Sequence, residues 1–257
     1  FIKPFSLFEG PLFRFAIYKN GDDIFLLCDF HHIIFDGSSL NIFINDIVTL
    51  YKGGVVNEEL YTGFDLSLEE LEIEDSDLYR EAENYFQEKI RYIDSATSLP
   101  TDINGNEDEG YLRESSVYLD KSEIELFCKD NGITPNNLFL SATAFTLSKF
   151  IFSKNLLISN ISNGRSNNHY QNTLAMLARA LPLVLNINSN ESVKDYIDNV
   201  QESLLHSIGY ECYPFIKIFD KYGISPEFSY AYQVGVVDTI KNNDYMVKLE
   251  SLTTESP

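Results

Sequence analysis

The stretch Ile24-Phe25-Leu26-Leu27-Cys28-Asp29-Phe30-His31-His32-Ile33-Ile34-Phe35-Asp36-Gly37 decides the reading of this chain. An apolar run that reads as a hydrophobic strand ends in two adjacent imidazoles, then three apolar residues, an aspartate and a glycine. Histidine titrates near neutral pH and can take and return protons there. An aspartate four residues on can fix a turn or hold a charged partner, and glycine permits backbone angles that a Cβ discourages. The combination describes a polar loop carried on a rigid support.

Working outward, 11–19 and 23–30 are two apolar runs separated by Asn20-Gly21-Asp22-Asp23, a hairpin signal. After the loop, Leu40, Phe43, Ile44, Ile47 and Leu50 recur at helical spacing and Lys52-Gly53-Gly54 ends the helix. Residues 67–94 predict one or two amphipathic helices. Their acidic run Glu69 to Asp77 fits a solvated helix face better than a docking face. Ser115 to Leu119 predicts a strand. Asp120 with Glu123 starts a helix that runs to Asn131-Gly132, and Thr134-Pro135 opens another reaching about Ser153. Strands are predicted over Leu156–Ile161, Leu181–Ile187, Phe228–Val237 and Tyr245–Leu249, with a helix over Val193–Ile208. Strands and helices mix throughout, so the fold class is α/β (α+β).

Composition removes several function classes. Hydrophobic residues make up 44% of 257, enough for a substantial core. A net charge of −20 argues against a nucleic-acid surface and against docking on anionic lipid. Cys28, Cys128 and Cys212 are odd in number and widely spaced, which fits a reduced, cytoplasmic setting without a disulfide framework. No apolar run has the length of a membrane span, and no basic leader with a cleavage pattern opens the chain. No glycine-rich phosphate loop is present, and His169 and His206 stand apart from the cysteines, so neither a nucleotide nor a metal site is expected. Ser38 and Ser39 lack the G-x-S-x-G context of a nucleophile and read as helix-cap serines.

His31 to Gly37 resembles the HHxxxDG signature of the condensation-domain superfamily, which spans condensation and epimerisation domains of nonribosomal peptide synthetases and acyltransferases of the chloramphenicol acetyltransferase type. The flanks resemble the family too. Pro4-Phe5-Ser6-Leu7, with Gly10-Pro11-Leu12-Phe13-Arg14, is similar to the segment before the family's histidines, and Asp36-Gly37-Ser38-Ser39-Leu40 to the helix after them. Leu174 to Leu183 is similar to a family segment written IGxFVNTLPL, with Arg179 and Ala180 where Asn-Thr is usual. Tyr213-Pro214-Phe215 matches the end of a family HQDYPF segment. The family's aromatic-Trp segment has no counterpart, because the chain contains no Trp.

The resemblance implies a chloramphenicol acetyltransferase-like, two-lobed sandwich with the histidines in the cleft. The first lobe would be incomplete, with further sequence before Phe1 and after Pro257. The expected division is 1–95 as the C-terminal part of the first lobe, 96–112 as a linker, and 113–257 as most of the second lobe. A lobe missing part of its sheet would leave edges open to self-association and would turn over slowly.

It implies, as function, amide-bond formation between a carrier-bound aminoacyl or peptidyl thioester and a carrier-bound amino acid. Epimerisation, another acyl transfer, and a non-catalytic carrier-docking module are the alternatives. His32 would be catalytic, taking a proton from the attacking amine or hydrogen-bonding the tetrahedral intermediate; both roles stay open at this point. His31 would point away from His32 if the pleat continues, in a supporting role. Asp36 orients structure, with Arg165 of Asn163-Gly164-Arg165 as its expected partner or, alternatively, a surface arginine. Gly37 reads as a backbone requirement. No cofactor would be bound directly; phosphopantetheine arms would come from donor and acceptor carrier domains, alongside an adjacent adenylation domain, in the cytoplasm.

Overall fold

Gly21 and Asp22 turn the chain between β1 (Phe13–Asn20) and β2 (Asp23–Phe30), an antiparallel pair in register from Phe13↔Phe30 to Asn20↔Asp23. Gly21 takes φ +62°, in the left-handed region that such short hairpin loops favour. Arg14 and Asp29 face each other across the pair at 2.6 Å, and Arg14 also donates to the carbonyls of Lys3 and Pro4, tying the first residues to the hairpin. This computed structural model describes residues 1–93, 95–100, 114–188, 190–225, 227–233, 239–241 and 246–248.

After β2 the chain makes one turn of 3-10 helix at His32–Ile34 and enters α1 (Gly37–Tyr51). α2 (Gly63–Ile73) and α3 (Asp77–Ile90) follow, so the acidic segment forms two helices. Asp120 caps α4 (Lys121–Asn131) by accepting from the Ser122 and Glu123 amides. Thr134 caps α5 (Pro135–Phe150) by accepting from the Asn137 amide. β3 (Asn155–Ser162) pairs antiparallel with β4 (Arg179–Asn186), and β3 pairs parallel with β5 (Ser229–Ala231) in the order β4-β3-β5. Between β4 and β5 lie α6 (Val193–Gly209) and α7 (Phe215–Tyr222). β6 (Thr239–Lys241) and β7 (Met246–Lys248) form a short antiparallel pair.

The chain divides into two compact units that do not follow chain order. The first comprises Phe1–Glu69, Asn163–Ala178 and the described residues of Gln233–Pro257; the second comprises Glu70–Ser162 and Arg179–Tyr232. The segment Asn163–Ala178, which joins β3 to β4, thus belongs with the histidine loop, whereas the sequence reading grouped it with the second lobe.

The second unit is built around β3. Leu156 and Ile158 pack with Leu140, Ala144 and Leu147 of α5 and Ile197, Val200 and Leu204 of α6. Leu157, on the opposite face, packs with Ala82, Phe86 and Ile90 of α3 and Phe215 and Ile218 of α7. A strand covered on both faces reads as an unbroken apolar run rather than an alternation. Part of the acidic run is matched inside this unit: Glu70 meets Arg179 at 2.6 Å, Glu74 meets Lys217 at 2.6 Å, and, further along, Glu83 meets Lys221 at 2.9 Å.

Several expectations change. Residues 114–120 form no strand: Val117 and Tyr118 are 80% and 95% exposed. No ladder partner meets them among the described residues, and apolar composition without a partner makes no sheet. The expected linker begins inside the core, where Ala96 and Thr97 are buried and Thr97 exchanges two 3.0 Å hydrogen bonds with Leu157; its remainder from 101 lies outside the described residues. Of the strand expected over 228–237, only Ser229–Ala231 is formed; 234–238 lie outside the described residues, as do Tyr245 and Leu249. α7 carried no start signal, because its N-cap is Pro214, which has no capping side chain. No helix among the described residues is long and apolar enough to cross a membrane.

Candidate active site

The strand pleat stops at Phe30, so the two histidines do not alternate across a sheet as the sequence reading supposed. Each imidazole bonds to nearby backbone instead, which competes with ladder pairing and curls the chain. His31 Nδ1 accepts from the Ile33 amide at 3.1 Å. His32 Nδ1 lies 2.7 Å from the Phe35 carbonyl oxygen. Stacked Phe30 and Phe35 rings, 4.0 Å apart, pin the two ends of the loop together, and Phe43 of α1 meets both edge-on.

These two contacts make the rings chemically different. A carbonyl oxygen can only accept, so the bond to Phe35 requires a proton on His32 Nδ1. In neutral His32 the lone pair is therefore on Nε2. His31 is the reverse: its Nδ1 lone pair is engaged by the Ile33 amide, leaving Nε2 as the protonated nitrogen. His32 is exposed and His31 half-buried, with its ring edge-on to Phe5. In the neutral loop, the free basic nitrogen belongs to His32.

Asp36 is 4% exposed and Arg165 is 6% exposed, and Arg165 Nη2 stands 3.1 Å from Asp36 Oδ1. Asp36 Oδ1 also caps α1 by accepting from the Ser39 amide at 2.7 Å, while Oδ2 accepts from the Leu177 and Ala178 amides at 3.0 and 3.2 Å. Arg165 Nη1 donates to the Tyr170 and Thr173 carbonyls at 2.6 and 2.9 Å, and Nη2 also reaches Ser39 Oγ at 3.2 Å. Ser39, with no exposed surface, donates to the Ala175 carbonyl and accepts from the Ala175 amide. This serine is a structural linchpin rather than a reactive group. Burial pushes the Asp36 carboxyl up, but the Ser39 and Leu177 amides, the Arg165 charge and the Ser39 hydroxyl outweigh it, so its pKa lies below the ordinary carboxylate value.

The sequence reading located Asp36 and Arg165; it took Ser39 for a helix-cap serine, whereas Asp36 is the cap and Ser39 bonds Ala175, and it gave Gly164 no backbone role. Gly164 takes φ +64°, and a Cβ there would fall 1.8 Å from the Leu177 carbonyl oxygen. The Asn-Gly step at the end of β3 was its sequence signal. Gly37 is a correction. Its φ is not left-handed, and an added Cβ would meet nothing within 4 Å, so the chain itself places no steric demand on it. Among the described residues no group of His, Cys, Asp and Glu is arranged to hold a metal ion.

Gly164→Ala is therefore expected to cost on the order of 3 kcal/mol, combining a left-handed backbone with a backbone clash. Gly37→Ala should stay within about 1 kcal/mol of wild type; chemical denaturation reads both. Ionised Asp36 contributes stability above its unfolded-state pKa, about 3.9, and that contribution is lost as pH falls through the lower folded-state value. The stability gap between wild type and Asp36→Asn should be widest near neutral pH and narrow as pH falls below about 4. A gap independent of pH would contradict the ionised, buried carboxylate.

The family model described as Condensation domain matches residues 1–254. Gramicidin S synthase 2 of Brevibacillus brevis is 27% identical over 236 residues, covering 89% of this chain and 5% of that protein. The first condensation domain of the calcium-dependent antibiotic synthetase, solved with a substrate analogue, matches with TM-score 0.66 and 16% identity over 92% of this chain and 56% of that one. The epimerization domain from the third module of tyrocidine synthetase B gives TM-score 0.69 and 22% identity over 87% of this chain and 56% of that one. The chain thus spans about half of these solved domains and a small fraction of the synthase. Domains named for two reactions share the α/β fold, so the structural likeness speaks for the fold, and the reaction is argued from residues. By fold and by the family match over nearly its whole length, this chain belongs to the condensation-domain family.

Proposed function

We propose that this domain forms amide bonds between two carrier-borne substrates in nonribosomal peptide biosynthesis. The amine nitrogen of an acceptor amino acid attacks the thioester carbonyl carbon of an aminoacyl or peptidyl donor. A C–N bond forms and the C–S bond breaks. One proton leaves the amine and one is taken up by the departing thiolate. Both substrates ride on phosphopantetheine arms of partner carrier domains, and holding them together supplies much of the acceleration through proximity. An adjacent adenylation domain would load the carriers, in the reducing cytoplasm, where Cys28, Cys128 and Cys212 remain free thiols.

The observation that carries this reading is the asymmetry of the two histidines. The Phe35 carbonyl holds the proton of His32 on Nδ1, so exposed His32 offers Nε2 as base to the attacking amine and, once protonated, as acid to the thiolate. His31, with Nδ1 engaged by the Ile33 amide, supports the loop. Asp36, buried against Arg165, positions and does not react.

Loaded donor and acceptor carriers incubated with the 257-residue chain should yield dipeptide slowly, and His32→Ala should lower the rate by about 10²–10⁴-fold, the usual worth of a positioned general base. His31→Ala should lower it less. Equal rates for wild type and His32→Ala, or bound carriers without product from wild type, would overturn the assignment.

A further inference from the structure

The loop that carries Arg165 is held from a second side. Thr62 opens α2 by donating its amide and hydroxyl to Asp65, at 2.8 and 2.7 Å, and this start sets the helical phase of the residues that follow. Leu66 and Glu69, three apart, therefore share a face of α2. Leu66 packs with Tyr170, Ala175, Leu177 and Tyr61. Glu69 receives two phenols, with Tyr61 Oη donating to Oε1 and Tyr170 Oη to Oε2. The two rings are tilted together, 5.2 Å between centroids. The segment before α2 adds two contacts: Thr173 Oγ1 donates to the Tyr61 carbonyl at 2.7 Å and the Leu174 amide donates to Glu59 at 2.7 Å.

Tyr170 and Thr173 are thus each engaged twice. Their carbonyls take the two Nη1 donors of Arg165, while their side chains are gripped by Glu69 and by the Tyr61 backbone. Arg165 passes the constraint on through Nη2 to Asp36 and Ser39. Asp36 passes it to His32 covalently, because the carbonyl that holds His32 belongs to Phe35 and shares a planar peptide unit with the Asp36 nitrogen. Rotation of Asp36 turns that carbonyl. Most of this path is buried, with Tyr170, Thr173, Arg165, Asp36 and Ser39 all at 8% exposure or less, so its hydrogen bonds act in a low dielectric and reinforce one another.

We propose that Glu69, clasped by Tyr61 and Tyr170, is a positioning residue for the His32 loop, acting through Arg165 and Asp36. The proposal rests on the reading of His32 as the base, and it assigns a role to an acidic residue whose run otherwise reads as a solvated face. The clasp fixes where the Phe35 carbonyl points, and with it the orientation of the His32 ring.

The chain has only four histidines, so ring resonances of histidine-labelled full-length protein report on each one. Tyr170→Phe removes one hydroxyl and leaves the ring; Glu69→Gln leaves one acceptor oxygen for two phenols. Both variants are expected to shift the ring resonances of His31 and His32 while leaving those of His206, in α6, at their wild-type positions. In the carrier coupling assay kcat should fall between about tenfold and 10²-fold with KM changed less than about twofold, the pattern of lost alignment rather than lost binding. His31 and His32 resonances that coincide with wild type in a folded variant would overturn the proposal, whatever happens to thermal stability. Should Tyr170→Phe fail to fold, Glu69→Gln decides by the same readout. The resonances are read without substrate, so a wild type that forms no dipeptide would count against the proposed reaction and leave the clasp to be judged by the spectra.

Discussion

The buried pair of Asp36 and Arg165 is the interaction on which the histidine-bearing unit depends. Removing a carboxylate and a guanidinium from water costs several kcal/mol per ion, and attraction between them offsets this only when the remaining donors and acceptors are also satisfied. Here they are. Asp36 accepts from Arg165 and from three backbone amides, and all four Nη protons of Arg165 find oxygen. Among the described residues only Arg165 Nε, within this group, is buried without a partner. Loss of either charge would strand the other, at about 3–5 kcal/mol.

This pair does three things at once. It caps α1 through the Ser39 amide and so fixes where the helix begins. It gathers the Asn163–Ala178 segment around one guanidinium, through the Tyr170 and Thr173 carbonyls. It also fixes the peptide that presents the Phe35 carbonyl to His32. Packing contributes at the other end of the loop, where Phe30, Phe35 and Phe43 interlock. Polar geometry therefore sets the orientation of the His32 ring, and the aromatic cluster holds the loop that carries it.

Much of the fold was legible because local signals and global structure agree. The Asn20-Gly21 turn, the Asp120 and Thr134 caps and the stripe after Gly37 each announce an element that is formed. Ser115–Leu119 was misread because β-propensity describes fitness for a sheet surface and cannot supply the neighbouring strand. α7 was missed although Phe215, Ile218 and Tyr222 recur at helical spacing and Gly223 ends it; its eight residues are short, and Pro214 in front of them offers no capping side chain. In the site, Asp36 and Arg165 were found because the segments around them, His31 to Gly37 and Asn163-Gly164-Arg165, resemble family motifs. The roles of Glu69, Tyr170 and Gly164 were hidden because they arise from contacts between segments far apart in the chain, or from space available around one backbone atom. Gly37 shows the converse: a glycine beside a conspicuous pattern invites a conformational explanation that its backbone angles do not require.

The central claim is that this framework leaves a lone pair on Nε2 of His32 and on Nδ1 of His31. Nitrogen-15 spectra of histidine-labelled protein, recorded where both rings are neutral, distinguish a protonated from an unprotonated ring nitrogen directly. The account requires His32 to carry its proton on Nδ1 and His31 to carry its proton on Nε2. A His32 found with its proton on Nε2 would contradict the hydrogen bond to Phe35 and remove the base from the proposed reaction.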